Sequence, residues 1–332
     1  MWILLVLLAA VLLLLVFGYR TMIAVKPPVA RPILGPDDRR EIEVLEARLM
    51  AHVQMLGRTI GERHLGRPEA LGAAAEYIRQ AWTAQGLAVT EEPFTVGGQP
   101  CLNLVTQITG RQPSGEILVV GAHYDTVPGS PGANDNGTGV AALLEMSRQL
   151  RDLPLARTVR LVAFVNEEPP YFLTDEMGSR VHARGARRRG ERIVGMVSLE
   201  TIGYYSGARG SQRYPPPFGL LYPDTGNFLT VVGNLASRPL VVDFMTQFMS
   251  ATDFPVEGVA AFEWVPGVNW SDHWSFWTEG YPAIMLTDTA PFRYPEYHTA
   301  LDLPEQVTPH VFARAAHGII QAVRRLAEKE SP

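Results

Sequence analysis

Apolar and polar positions along this chain fall into two alternating kinds of repeat. From Asp37 to Arg58 the apolar residues Ile42, Leu45, Leu49, Val53 and Leu56 recur at three- and four-residue spacing, which predicts a helix. A second helix is expected over Glu69 to Gln85, Ala-rich and closed by Gly86, a residue suited to the left-handed backbone that ends helices. Leu87 to Val96 reads as an edge strand. Strand patterns follow at Leu102–Ile108 and Glu116–Val120, then a Gly-rich loop and a helix over Gly139–Leu150. Strand Thr158–Val165, helix Thr174–Arg184 and strand Ile193–Leu199 continue the alternation. Phe228–Val232 and Ala283–Thr287 read as further strands, and Pro309–Lys329 as a closing amphipathic helix. Strands alternating with helices predict an α/β fold, a three-layer α/β/α sandwich around a mostly parallel sheet. With no internal repeat, residues 37–332 read as one domain.

Ahead of that domain, Trp2 to Tyr19 is an uninterrupted uncharged run. As a helix it would extend roughly 27 Å, close to a bilayer's hydrocarbon thickness, with interfacial aromatic residues at both ends. The expectation is a single-pass N-terminal transmembrane helix over residues 1–20, anchoring the chain to a membrane. The rival reading is a cleaved signal peptide, but no Lys or Arg precedes the apolar run and no small-residue cleavage site follows it. Arg20, Lys26 and Arg31 follow the span, too few charges to set its orientation. Residues 21–36, with Pro27, Pro28, Pro32 and Pro36, read as a stiff linker.

Charge narrows the function. Lys plus Arg total 29 against 34 Asp plus Glu, a net −5, which argues against nucleic acid as the principal partner. The single cysteine, Cys101, excludes internal disulfides and thiolate-clustered metal sites. Metal chemistry here must use imidazoles and carboxylates.

Parallel α/β sheets bind ligands beyond the carboxyl ends of their strands, and those ends are where the acids and histidines fall. One strand runs into Gly121-Ala122-His123-Tyr124-Asp125, where His123 can ligate through one ring nitrogen while Asp125 holds the other. The loop Asn134-Asp135-Asn136-Gly137 follows, and Asp135 or Asn136 could equally cap the next helix. The next strand ends in Asn166-Glu167-Glu168-Pro169-Pro170. Adjacent carboxylates on a regular strand face opposite ways, but the prolines end the strand, so both acids can turn to one site. Glu200 ends a third strand, and Tyr297-His298-Thr299 lies far downstream. His123, Asp135, Glu168, Glu200 and His298 make an oxygen- and nitrogen-rich set suited to two zinc ions or other first-row divalents. Glu167 remains as an unligated carboxylate placed to act as general base.

In these motifs the sequence resembles the M28 family of co-catalytic zinc peptidases: His123-Tyr124-Asp125, Gly132–Gly139, Asn166-Glu167-Glu168 and Tyr297-His298-Thr299 occur in family order across Arg58 to Ala327. The resemblance implies that His123 and Glu200 bind one metal, Glu168 and His298 the other, and that Asp135 bridges them. It further implies that Asp125 orients His123, that Glu167 is the base for a metal-bound hydroxide nucleophile, and that Tyr297 stabilises the oxyanion. A metallo-aminopeptidase acting on peptide N-termini outside the cytoplasm is the function so implied; a glutaminyl-cyclase-like transferase and a non-catalytic receptor or scaffold domain are the alternatives. Two departures stand out. Glu200 occupies a position usually held by Asp, and Pro169-Pro170 replaces a Gly-containing segment.

Other chemistry-bearing residues read as minor. Ser271-Asp272-His273 resembles a catalytic triad written in a row, but adjacent residues do not make triad geometry. With Trp270, Trp274, Phe276 and Trp277 around them, they either line a substrate pocket or pack an aromatic loop. Arg184, Arg187, Arg188, Arg189 and Arg192 read as a solvated cluster, with anionic lipid contact as the alternative. Arg293 is a candidate partner for a substrate carboxylate. His52, His64, His182, His310 and His317 read as structural or surface residues.

Overall fold

The computed structural model describes residues 2–18, 23–112, 115–216 and 218–330. Helix α1 (Trp2–Gly18) carries only apolar residues, and its side chains from Leu5 to Phe17 are exposed. It runs for 17 residues, about 25 Å, and no helix among the described residues is long and apolar enough to cross a membrane. The expected membrane span is therefore not supported. The described part of the helix is shorter than a hydrocarbon core of about 30 Å, and Tyr19 and Arg20 lie outside the described residues.

The chain then forms β1 (Ala24–Val25), α2 (Pro36–Gln54), α3 (Pro68–Ala84), β2 (Thr90–Val96), β3 (Gln99–Ile108), β4 (Glu116–His123), α4 (Gly137–Leu150), β5 (Thr158–Phe164) and α5 (Gly178–Arg188). After these come β6 (Arg192–Glu200), β7 (Leu229–Asn234), α6 (Arg238–Ala251), β8 (Val256–Ala261), α7 (His273–Trp277), β9 (Ala283–Thr287) and α8 (Pro309–Glu328). The strands make one sheet in the order β1-β8-β7-β9-β6-β4-β5-β3-β2.

The central run β5-β4-β6-β9 is parallel, as expected. Beyond it the sheet is mixed: β3 is antiparallel to β5, β2 to β3, β7 to β9 and β1 to β8. The mostly parallel expectation thus holds for the centre and for the β7–β8 pair, but not for the sheet as a whole. The β2–β3 hairpin turns at Gly97-Gly98, both with positive φ, and so short a connection permits only antiparallel pairing.

Side chains alternate across the central strands and feed two cores. Leu118, Val120 and Ala122 of β4 join Leu161 and Ala163 of β5 in the larger core, with α2, α3, α4, α6 and α8. Val119, Val162, Phe164 and Met196 face the smaller one with α5 and α7. In α2, Pro36 occupies the first turn, Asp37 and Asp38 complement the helix dipole, and the predicted stripe Ile42, Leu45, Leu49 and Val53 is buried. A wider π-helical turn over Met55–Ile60 follows, where Gly57 packs so closely on Ala133 that a Cβ would lie 2.5 Å from it.

Five elements depart from the sequence pattern. α6 and β8 occupy a stretch with no expected regular structure, β1 forms inside the Pro-rich stretch, and the short α7 starts at His273, with Asp272 just before it. Helix α5 begins at Gly178 rather than Thr174, because Met177, at φ −64 and ψ 137, is extended and separates α5 from any earlier helical turn.

Candidate metal centre

The sheet register assembles the site. Gly121 of β4 pairs with Ser198 of β6, so two residues further on His123 and Glu200 leave the sheet side by side. His123 is itself level with Phe164 at the end of β5. Asn166 then adopts φ 60, a left-handed turn that asparagine tolerates and that ends the strand alternation. Glu167 and Glu168 leave it on the same side, their N–H groups donating to Asp125 Oδ1 at 3.2 Å and Oδ2 at 3.1 Å.

His123 Nδ1 faces the Asp125 carbonyl oxygen at 3.2 Å and its carboxylate at 3.5 Å. A proton held there leaves Nε2 as a free lone pair. That Nε2 lies 3.3 Å from Glu200 Oε2 and 3.4 Å from Asp135 Oδ1. The second oxygen, Asp135 Oδ2, lies 3.1 Å from His298 Nε2, which is 3.3 Å from Glu168 Oε2. Two triads result, His123-Asp135-Glu200 and Asp135-Glu168-His298, each with ligand atoms within 4.8 Å of one another. A third grouping, His123-Glu167-Glu168, meets the same distance. Glu167 Oε2 is 3.9 Å from His123 Nε2, and an imidazole nitrogen has one lone pair to give, so the two triads sharing Asp135 use the donors more fully.

Electrostatics point to cations. His123 Nε2, Asp135 Oδ2, Glu168 Oε1 and His298 Nε2 are buried without hydrogen-bond partners, an arrangement costing about 1–3 kcal/mol per group unless something binds them. Burial and the charge of Asp135 push Glu168 up to about 8. Burial drives Glu167 well above the usual carboxylate range, with Glu200, Glu168 and Asp272 adding to it against the pull of His123. Burial opposes the charged form of His298, yet Asp135 and Glu168 hold it up at about 10. Crowded acids that resist ionising, with imidazoles drawn into the gap, fit the binding of divalent metal.

The loop carrying Asp135 is pinned from several sides by residues the sequence reading did not single out. Asp302 accepts the N–H groups of Asn134 at 2.8 Å and Asp135 at 3.0 Å, and the Tyr294 hydroxyl at 2.8 Å. Buried Arg63 donates to five carbonyl oxygens, those of Leu56, Gly61, Tyr124, Pro131 and Gly132. Asn136, not Asp135, caps α4, its Oδ1 accepting from Gly139 at 3.1 Å. Gly139 allows this, since a Cβ there would lie 2.3 Å from that oxygen. Asp302→Asn keeps the shape and removes the charge that fixes Asp135. The expected result is a 10–100-fold loss of zinc affinity, read by competitive titration with a zinc-binding dye.

Ser271-Asp272-His273 forms no triad. Ser271 donates to Glu200 Oε2 at 2.9 Å and so orients that acid, while His273 Nε2 faces the Val268 carbonyl at 2.8 Å. Arg293 is buried, its Nε on Gln212 Oε1 at 2.7 Å and its guanidinium over Phe228. Within the arginine cluster, Arg184 pairs with Asp175, Arg189 with Glu191 and Arg192 with Glu116. The other histidines have local partners: His52 and His182 meet Glu145 and Glu92, His64 meets Glu62, and His310 and His317 lie near Glu46 and Glu41.

Residues 103–323 match the model of peptidase family M28. The chain belongs to that family. It is 36% identical over 277 residues to the uncharacterized protein YfbL of Escherichia coli, covering 81% of this chain and 84% of that one. In fold it is similar to BSAP, a zinc aminopeptidase from Bacillus subtilis, with a TM-score of 0.64 and 16% identity over 86% of this chain and 95% of that one. It is also similar to Fimbriiglobus ruber glutaminyl cyclase, with a TM-score of 0.62 and 20% identity over 90% of this chain and 99% of that one. The chain is a metallopeptidase hydrolase. In this M28 peptidase the longer Glu200 still brings Oε2 to 3.3 Å from His123. Pro169 and Pro170 line a small cavity together with Glu168, His64 and Tyr171. Tyr297 stacks on His298, ring centroids 3.8 Å apart, and with Glu200 borders a larger pocket of about 820 Å3 including its open mouth.

Proposed function

We propose that this chain is an aminopeptidase that holds two zinc ions and releases N-terminal residues from peptides. The observation that carries the reading is Asp135, whose two carboxylate oxygens face two different imidazoles, at 3.4 Å and 3.1 Å. His123 and Glu200 would hold one ion, Glu168 and His298 the other, with Asp135 shared. Bound zinc supplies Lewis-acid polarisation of a carbonyl and a lowered pKa for water.

The remaining work falls to the chain's own groups. Glu167, close to the triads but not needed by either, takes a proton on its carboxylate and returns it to the departing amine. The buried setting that raises its proton affinity suits both halves of that transfer. Asp125 keeps the His123 proton on Nδ1, and the Tyr297 hydroxyl, beside His298, donates toward the oxyanion.

The cyclase-like fold neighbour makes a second reading worth separating by experiment. Metal analysis of the purified protein is expected to give about two zinc equivalents. Amino acids should be released from free N-termini and not from acetylated ones. One equivalent, with ammonia released from N-terminal glutaminyl peptides, would replace the peptidase reading by the cyclase one.

A further inference from the structure

The larger pocket beside the metal centre runs along one face of β6, β9, β7 and β8. Glu200 pairs with Thr287, Thr287 with Thr230, and Thr230 with Glu257, so four residues of the lining stand in one row across adjacent strands. At ~4.8 Å between strands the row is about 14 Å long. It begins at Glu200 of the candidate metal centre and ends at Glu257, outside the candidate ligand groups. Phe218, Tyr222, Phe228, Trp270 and Phe292 wall the space between.

The far end is polar and unsatisfied. Glu257 Oε2 and Thr230 Oγ1 are buried and take part in no hydrogen bond. Lys26 Nζ stands 3.4 Å from that Glu257 oxygen, but its side chain is 63% exposed, and ion pairs held by such mobile, solvated chains are weak. Arg213, also in the lining, is exposed. An aromatic sleeve that ends in an under-used carboxylate is suited to a long apolar stem with a cationic head. The stem packs on the rings, the cation gains from their faces, and the head reaches toward the carboxyl group of Glu257. An apolar side chain of equal length would pack on the same rings and offer neither polar group a partner, the situation in which a site discriminates most strongly.

We propose that this pocket receives the side chain of the substrate's N-terminal residue and selects lysine or arginine through Glu257. The assignment rests on the aminopeptidase reading above. Leucine fills only the near part of the row, whereas lysine, five bonds of about 1.5 Å from Cα to Nζ, extends toward Glu257.

The test compares kcat/KM for lysyl-, arginyl-, norleucyl- and leucyl-p-nitroanilide on the zinc-loaded protein, its E257Q variant and its K26M variant, each checked for folding by circular dichroism. Norleucine matches the lysine stem and lacks its charge. The lysine-to-norleucine ratio is expected to be about tenfold or more in the unmodified protein. E257Q should cut that ratio by about tenfold, and K26M, which frees Glu257, should raise it. A ratio at or below one, or a ratio that E257Q leaves unchanged, overturns the proposal. If no anilide is cleaved, the aminopeptidase reading fails by itself, and calorimetry with free L-lysine and L-norleucine decides the pocket. Tighter lysine binding that E257Q abolishes supports the assignment, and equal or absent binding of the two overturns it.

Discussion

Glu167→Gln is expected to lower kcat by about 10²–10⁴-fold while zinc content, KM and melting temperature stay close to those of the unmodified protein. The factor is the usual worth of a positioned general acid–base group, and glutamine keeps the shape of glutamate while giving up its proton-accepting oxygen. The expectation of retained metal follows from geometry. Each oxygen of Asp135 already faces one imidazole, Glu200 and Glu168 complete the two triads, and Glu167 stands further off at 3.9 Å. Loss of one zinc equivalent in E167Q, measured by atomic emission, would make Glu167 a ligand, in line with the grouping of His123, Glu167 and Glu168. Normal turnover would remove it from the chemistry altogether.

Asp135→Ala has the broader effect: both zinc equivalents are expected to be lost together, and hydrolysis to fall to the background of the metal-free protein. Removing a ligand that serves a single ion should leave the other ion in place, so His298→Ala is the control and should retain about one equivalent. The asymmetry is the signature of a shared carboxylate. If D135A retains one tightly held zinc, the bridging role is wrong. The substitution should not cost much folding stability in the absence of metal. It removes one carboxylate from a cluster where burial and mutual repulsion already push Glu168 up to about 8, although it also deprives His123 and His298 of a partner.

The parts of this molecule that were legible from sequence are those in which one residue's surroundings are set by its near neighbours. β4, β5 and β6 announce themselves as short continuous apolar runs, and because their carboxyl ends share an edge, the acids and histidines written after them had to gather there. β9 was readable for the same reason. What stayed hidden depends on contacts between distant segments. Asp302 sits in an ordinary Leu-Asp-Leu turn, and only the fold shows that it receives an N–H from a residue 167 positions away. Arg63 looks like any surface arginine until the wide turn after α2 brings it under the metal loop. In α6 the buried set Val241, Phe244, Met245 and Phe248 has helical spacing, but its β-branched and aromatic residues have modest helix propensity. Gly258 and Glu257 interrupt the apolar run that would mark β8. The antiparallel pairing of β2, β3 and β7 stayed hidden although each was expected as a strand, since strand direction follows from which segments pair and not from the composition of any one.

Arg63 has an implication for how the molecule can be cut. The recognisable family portion, residues 103–323, omits this arginine together with α2 and α3, although its guanidinium holds the carbonyl oxygens of Tyr124, Pro131 and Gly132 and its neighbour Glu62 accepts the Gly129 N–H at 2.8 Å. The stretch that carries the family's hallmarks is therefore not the smallest autonomous unit. An excised version would keep every donor for zinc and lose the floor on which one of them rests.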